Sequence, residues 1–241
     1  ILLEALNKVS KAISTKNVIP VLAGIKFNLT KKKLTLTASD NDITIETYID
    51  CNDESLINVK QEGCIIIQGK YILDIVRKLP DDYINIEVVD ELKILIYTEN
   101  SEFNLNGISE KEYPTIELNE SKNYIELSPE VLKEIVNQTA FATSIDENKA
   151  ILNGINFNIS GNILECNATD SYRLARKIVK LEKAASENQN IVIPSRNIVE
   201  FTRIIDDSDE KITIHIFNNK ILFKYQNLSF QSRLINGTYP N

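Results

Sequence analysis

An internal repeat constrains this 241-residue chain more than any other feature. Residues 20–45 and 150–175 superpose with a constant offset of 130 and no gap. Leu22 matches Leu152, Gly24 matches Gly154, Ile25 matches Ile155, and Phe27 matches Phe157. Asn28, Leu34, Ala38 and Asp40 match Asn158, Leu164, Ala168 and Asp170. Further along the offset becomes 126, pairing Ile72 with Ile198, Arg77 with Arg203, Tyr113 with Tyr239 and Pro114 with Pro240. A repeat on that scale implies two tandem domains, each long enough to bury a core without staples.

The elements follow from periodicity. Residues 2–13 carry a helical apolar stripe, and residues 69–79 form a second helix stopped by Pro80. Between them, residues 18–30 and 34–37 read as a hairpin over Lys31, Lys32 and Lys33, followed by strands at 43–49 and 64–68. Residues 84–89, 93–98 and 101–107 read as a meander. The second copy opens with a strand at 124–127, then a helix with Ser128 as cap and Pro129 at its first position, running to about Ala142. A hairpin follows, with a polar elbow at residues 168–175. A strand at 191–194, a helix at 195–205 and strands at 212–217, 221–225 and 229–235 close the chain. The fold class is α+β, with domains at 1–117 and 123–241 joined by a linker at 118–122.

Composition narrows function. Hydrophobic content of 43% and charged content of 25% are those of a globular protein. No apolar run approaches the roughly 18 residues of a membrane span, and no secretory leader opens the chain. Cys51, Cys64 and Cys166 are odd in number and lack paired spacing, so reduced thiols in the cytoplasm are expected, with no metal site. The net charge of −7 argues against indiscriminate nucleic-acid binding, but its placement is uneven: residues 2–13, 70–79, 131–142 and 195–205 sum to +4 and the remainder to −11. There is no Met, so the chain is expected to be a piece of a longer protein; because the strand at 124–127 has no counterpart before Ile1, a leading strand of the first domain is expected to be missing.

Catalytic signatures are absent. Glycine-rich phosphate loops, nucleophile elbows and paired metal-binding histidines do not occur. Asp40 and Asp170 could suggest a carboxylate pair for acid–base chemistry. They stand once per domain, and the simpler reading is an Asp that caps backbone N–H groups at a turn. The only histidine, His215, alternates with isoleucines and is expected to point away from the core. A hydrolase or nucleotidyl enzyme using the two aspartates and a repeat-built interaction module are the readings these residues leave open.

The motifs themselves carry a resemblance. Leu152-Asn153-Gly154 and Ala168-Thr169-Asp170-Ser171-Tyr172-Arg173-Leu174-Ala175, with Ile19-Pro20-Val21-Leu22, Ala38-Ser39-Asp40, Glu112-Tyr113-Pro114 and Asn236-Gly237-Thr238-Tyr239-Pro240, stand in the order and spacing of the bacterial DNA sliding clamp, the beta subunit of DNA polymerase III. The chain resembles the first two of that family's three domains over nearly its whole length. The resemblance implies a DNA clamp fold and a non-catalytic processivity factor without cofactors. It also implies a homodimeric ring around duplex DNA, joined through domain one of one chain and domain three of the other, so the present chain is expected to be monomeric. Helices line the hole in that family, which carries over a DNA-facing role to Lys8, Lys11, Lys70, Arg77, Lys78, Arg196 and Arg203, with Lys16 and Lys149 on the matching loops. Asp146 and Glu147 depart from a phosphate-binding loop. Polymerase, clamp loader and repair proteins dock by short Gln- and Leu/Phe-containing peptides in a groove between domains two and three. The domain-two wall carries over to Leu152, Thr169, Ser171, Tyr172, Arg173, Leu174 and Pro240, with Ser171-Tyr172 where the family often has Gly-His.

Overall fold

The computed structural model describes residues 1–13, 19–52, 57–79 and 83–240. The chain divides into two compact units, Ile1–Glu117 and Leu118–Asn241.

In the first unit, helix α1 (Leu2–Val9) continues into a 3-10 turn, Ser10–Ala12. Its inward face, Ala5, Leu6 and Val9, is buried. Four strands follow: β1 (Gly24–Leu29), β2 (Lys33–Ser39), β3 (Ile43–Asp50) and β4 (Gly63–Gln68). They pair antiparallel in the order β4-β1-β2-β3. Helix α2 (Gly69–Lys78) packs beside α1. A second sheet, β5 (Asn85–Asp90), β6 (Lys93–Tyr97) and β7 (Glu102–Asn106), is an antiparallel meander.

The second unit repeats this plan. Strand β8 (Tyr124–Leu127) precedes α3 (Pro129–Thr139). Ser128 caps that helix as its sequence predicts, its Oγ accepting the Val131 N–H at 3.3 Å, with Pro129 where no N–H is needed. Strands β9 (Gly154–Ser160), β10 (Ile163–Thr169), β11 (Leu174–Lys180) and β12 (Gln189–Pro194) pair in the order β12-β9-β10-β11, the order of β4-β1-β2-β3. Helix α4 (Ser195–Ile204) packs beside α3. Strands β13 (Ile212–Ile216), β14 (Lys220–Tyr225) and β15 (Leu228–Arg233) form the closing meander, and β8 adds to β13. Phe201 of α4 packs against Phe223 and Phe230 in this core, with ring centroids 4.6 and 5.2 Å away. The repeated glycine at the start of β1 and β9 is a packing requirement. A Cβ on Gly24 would collide with the Ile66 side chain, and one on Gly154 with that of Val192.

Four expectations need correction. Residues 20–23 are not strand: Pro20–Ala23 form a 3-10 turn, with the Leu22 N–H on the Ile19 carbonyl at 3.1 Å, and extended pairing begins only at Gly24. The matching stretch of the second unit, Glu147–Asn153, is likewise 3-10, in two turns kinked at Lys149, so residues 150–153, read as the start of a strand, are not strand either. Leu174–Lys180 is a full strand that periodicity did not reveal. Its inward positions include Lys177, whose ammonium reaches Glu134 of α3 at 2.7 Å, so a charge interrupts the apolar alternation. His215 is buried, not outward. Its Nδ1 hydrogen-bonds the Ser121 carbonyl at 2.9 Å and its ring tilts against Tyr124. The segment read as linker lies across this face, with Glu120 also paired to Lys224, so β13 is covered on both sides there.

Candidate functional site

Strands β10 and β11 are joined by four residues, and short-range hydrogen bonds fix the shape of that elbow. Asp170 Oδ1 accepts the N–H groups of Tyr172 at 2.9 Å and Arg173 at 3.0 Å, while Oδ2 takes the Arg173 Nε–H at 3.0 Å. Thr169 Oγ1 accepts the Ser171 N–H at 3.1 Å and donates to the Arg173 carbonyl at 2.7 Å. The Thr169 N–H donates to Tyr239 Oη at 3.0 Å, which pins the elbow to the end of the chain. The Tyr172 amide, aided by Arg173, holds the Asp170 carboxyl below its ordinary range. A depressed carboxyl stabilises the fold above the ordinary Asp range, and that contribution is lost as pH falls through the lowered value.

Ser171 sits at φ 81°, a left-handed conformation that costs a non-glycine residue on the order of 1–2 kcal/mol. Ser171→Gly relieves that strain, partly offset by the entropy glycine gains when unfolded. The expected net gain is about 0.5–1 kcal/mol in urea unfolding of this chain, and a loss of stability would show that the serine hydroxyl matters more than the backbone.

The side chains turn outward. Tyr172 is 94% exposed and Leu174 68% exposed. The Arg173 guanidinium lies over the Phe141 ring, 5.6 Å from its centroid, so both its Asp170 contact and this stacking set its direction. Lys149 Nζ donates to Ser171 Oγ at 3.4 Å, which places that lysine on the elbow. Pro240 is exposed and Thr169 half-buried. Leu152 differs: it is only 6% exposed, packed with Val192, Tyr239, Ile151 and Ile235, and so belongs to the core under the elbow rather than its surface. Tyr239 and Phe141 were not singled out in the sequence. The Tyr113–Tyr239 match in the repeat was the available signal for the first; nothing marked the second.

The first unit builds the same elbow with different side chains. Asp40 Oδ1 accepts the N–H groups of Asp42 at 3.0 Å and Ile43 at 2.9 Å, and Asn41 takes the left-handed position at φ 73°. Tyr113, buried with Val21, Leu22 and Ile66, points its hydroxyl at the Ser39 amide without closing a full hydrogen bond, and burial pushes its pKa up to about 12. Where the second elbow exposes Tyr172 and Leu174, the first has exposed Asp42 and buried Thr44. Both aspartates are therefore turn caps, and among the described residues no cluster of acidic, Cys or His side chains could hold a metal.

The backbone of this double-elbow unit is shared with known proteins. Residues 1–117 match the N-terminal domain of the DNA polymerase III beta subunit, and residues 126–241 match its central domain. The chain is 43% identical over 244 aligned positions to the Beta sliding clamp of Halalkalibacterium halodurans and 37% identical to that of Bacillus subtilis, in each case covering all of this chain and 64% of the relative. The crystal structure of the Bacillus subtilis clamp superposes with a TM-score of 0.95 at 36% identity, and that of the Streptococcus pneumoniae beta chain with 0.94 at 36%, each over all of this chain and 64% of the other. The chain belongs to the bacterial beta sliding clamp family. It spans just under two thirds of the length of the clamps it matches.

Most of the basic residues expected to face DNA sit on the helices of this clamp chain. Lys70, Arg77 and Lys78 of α2 and Arg196 of α4 are exposed, as is Lys11. Arg77 and Lys78 occupy the last turn of α2 and Arg203 that of α4, where the helix dipole favours cations. Lys8 is half-buried and paired with Glu4 at 2.9 Å, and Arg203 contacts Glu200 at 3.4 Å while keeping 70% of its side chain exposed. Such surface pairs hold at most about 1 kcal/mol, so the charges stay available to a polyanion. Lys16 lies outside the described residues. No helix in the described clamp chain is long and apolar enough to cross a membrane.

Proposed function

We propose that this chain forms the first two domains of a processivity factor that encircles duplex DNA and tethers the replicative polymerase and other proteins by short linear peptides. The observation that carries the reading is the contrast between the elbows. One capped backbone is built twice, yet only the second copy spends exposed area on Tyr172 and Leu174. Apolar side chains held on a rigid turn at no benefit to their own core fit a docking wall. Arg173, Thr169, Ser171 and Pro240 give that wall a polar rim, Leu152 supports it from below, and a third domain supplies the facing wall. Tyr172 adds an aromatic face against which a Leu/Phe anchor can pack.

The DNA-facing set is Lys8, Lys11, Lys16, Lys70, Arg77, Lys78, Arg196 and Arg203. These contacts would reach phosphates rather than base edges, which is what sliding requires. Lys149 contributes less to DNA than to the elbow, beside the acidic Asp146. Ring closure calls for an open surface on domain one. The meander β5-β6-β7 offers one, with every residue of β5 exposed and Ile86, Val88, Val89 and Phe103 among the exposed apolar side chains. With Asp40 and Asp170 consumed as caps, the role is that of a cytoplasmic scaffold and not a catalyst.

The test uses the full-length protein loaded on nicked circular DNA by its clamp loader. Bound protein should be lost when the circle is cut, because the link is topological. Retention on the linear product would replace a clamp with ordinary electrostatic binding.

A further inference from the structure

Three of the seven glycines follow an asparagine: Asn106-Gly107, Asn153-Gly154 and Asn236-Gly237. That dipeptide is chemically vulnerable, since no side chain on glycine blocks its backbone nitrogen from reaching the asparagine carboxamide. The fold protects two of the three. Asn106 sits in the β6–β7 ladder, and the Gly107 N–H is bonded to the Leu92 carbonyl at 2.6 Å. The Asn153 side chain, oriented with its nitrogen toward the carbonyls of Ser144 and Asp146, donates to both at 2.9 and 3.1 Å, and Gly154 is buried against Val192 and Ile193. Asn236 is different. It is exposed, follows the end of β15 in irregular chain, and among the described residues neither its carboxamide nor the Gly237 N–H has a partner. Gly237 holds φ at 139°, a conformation only glycine adopts without strain.

We propose that Asn236-Gly237 is a self-modification site at which the chain deamidates and isomerises. The Gly237 nitrogen attacks Asn236 Cγ, the N–Cγ bond forms, the Cγ–Nδ2 bond breaks, and ammonia leaves with the amide proton. Water then opens the five-membered imide at either carbonyl, giving Asp or isoAsp at position 236. The isoAsp product routes the main chain through the former side chain and lengthens it by one carbon. Three residues after Asn236 stands Tyr239, whose ring is locked beneath the elbow and whose hydroxyl holds the Thr169 N–H. Lengthening the segment just before it slackens that pin, so isomerisation at 236 loosens the elbow from a distance.

Ageing the folded protein in mildly alkaline buffer at physiological temperature, with peptide mapping that separates Asp from isoAsp, tests the chemistry. Conversion at Asn236 should exceed that at Asn106 and Asn153 by at least an order of magnitude, because those two react only after local opening. Equal rates at the three sites, or a stable Asn236 in folded protein whose urea-unfolded form converts there, would overturn the assignment. Amide exchange at Thr169 tests the coupling. It should speed up several-fold in aged protein, and stay slow in aged Asn236→Gln and in unaged Asn236→Asp, which carries the charge without the extra carbon. Conversion with Thr169 exchange unchanged would overturn the link to the elbow.

Discussion

Tyr239→Ala should lower the unfolding free energy of this chain by about 3–5 kcal/mol, the range for removing a large aromatic from a packed site. The ring is 7% exposed and shares a cluster with Leu152 and Val192, so truncation leaves a cavity below the elbow. Tyr239→Phe is the informative companion. It keeps the packing and removes only the hydroxyl that accepts the Thr169 N–H. Its stability loss should be near 1 kcal/mol, since one half-buried N–H is left unpaired. Urea denaturation measures both. If the two variants were equally destabilised, the tyrosine would matter through its hydrogen bond and not through its ring. If Tyr239→Phe cost nothing, the pin would contribute no stability.

Leu174→Asp should weaken binding of a Gln- and Leu/Phe-containing peptide to the full-length protein by about 2 kcal/mol or more, roughly 30-fold, as expected for a central apolar anchor. The thermal midpoint should hardly move, because Leu174 is already 68% exposed and contributes little to its own core. That separation of binding from stability is what distinguishes an anchor from a core residue. Leu152→Ala gives the opposite pattern, a stability loss of about 2–5 kcal/mol from a buried position, with any change in binding following from the disturbed support. Calorimetric titration paired with thermal unfolding resolves the two. Unchanged peptide affinity in Leu174→Asp would remove the elbow from the docking surface.

Much of this architecture was legible in the sequence because it is written twice. The change of offset from 130 to 126 located the length difference before the second helix of each copy, and the two four-stranded sheets share one strand order. The Asp caps and the Ser128-Pro129 helix start were readable because short-range chemistry leaves few options for those residues. What stayed hidden depends on partners distant in sequence. Lys177 faces inward only because Glu134 waits on α3, and His215 is buried only because residues 120–124 fold across it. Leu152 and Leu174 are the same residue type, yet one packs beneath the elbow and the other stands on it. No local pattern separates them, and the Arg173–Phe141 stacking depends on where α3 ends.

The most direct test of the elbow as the docking wall is hydrogen exchange of the full-length protein with and without a polymerase-type peptide. Amides of residues 169–174 should gain protection, while those of residues 39–44 in the first unit, built on the same backbone but presenting polar side chains, should not change. Protection of both elbows, or of the first alone, would mean that the exposed Tyr172 and Leu174 do not decide where partners bind.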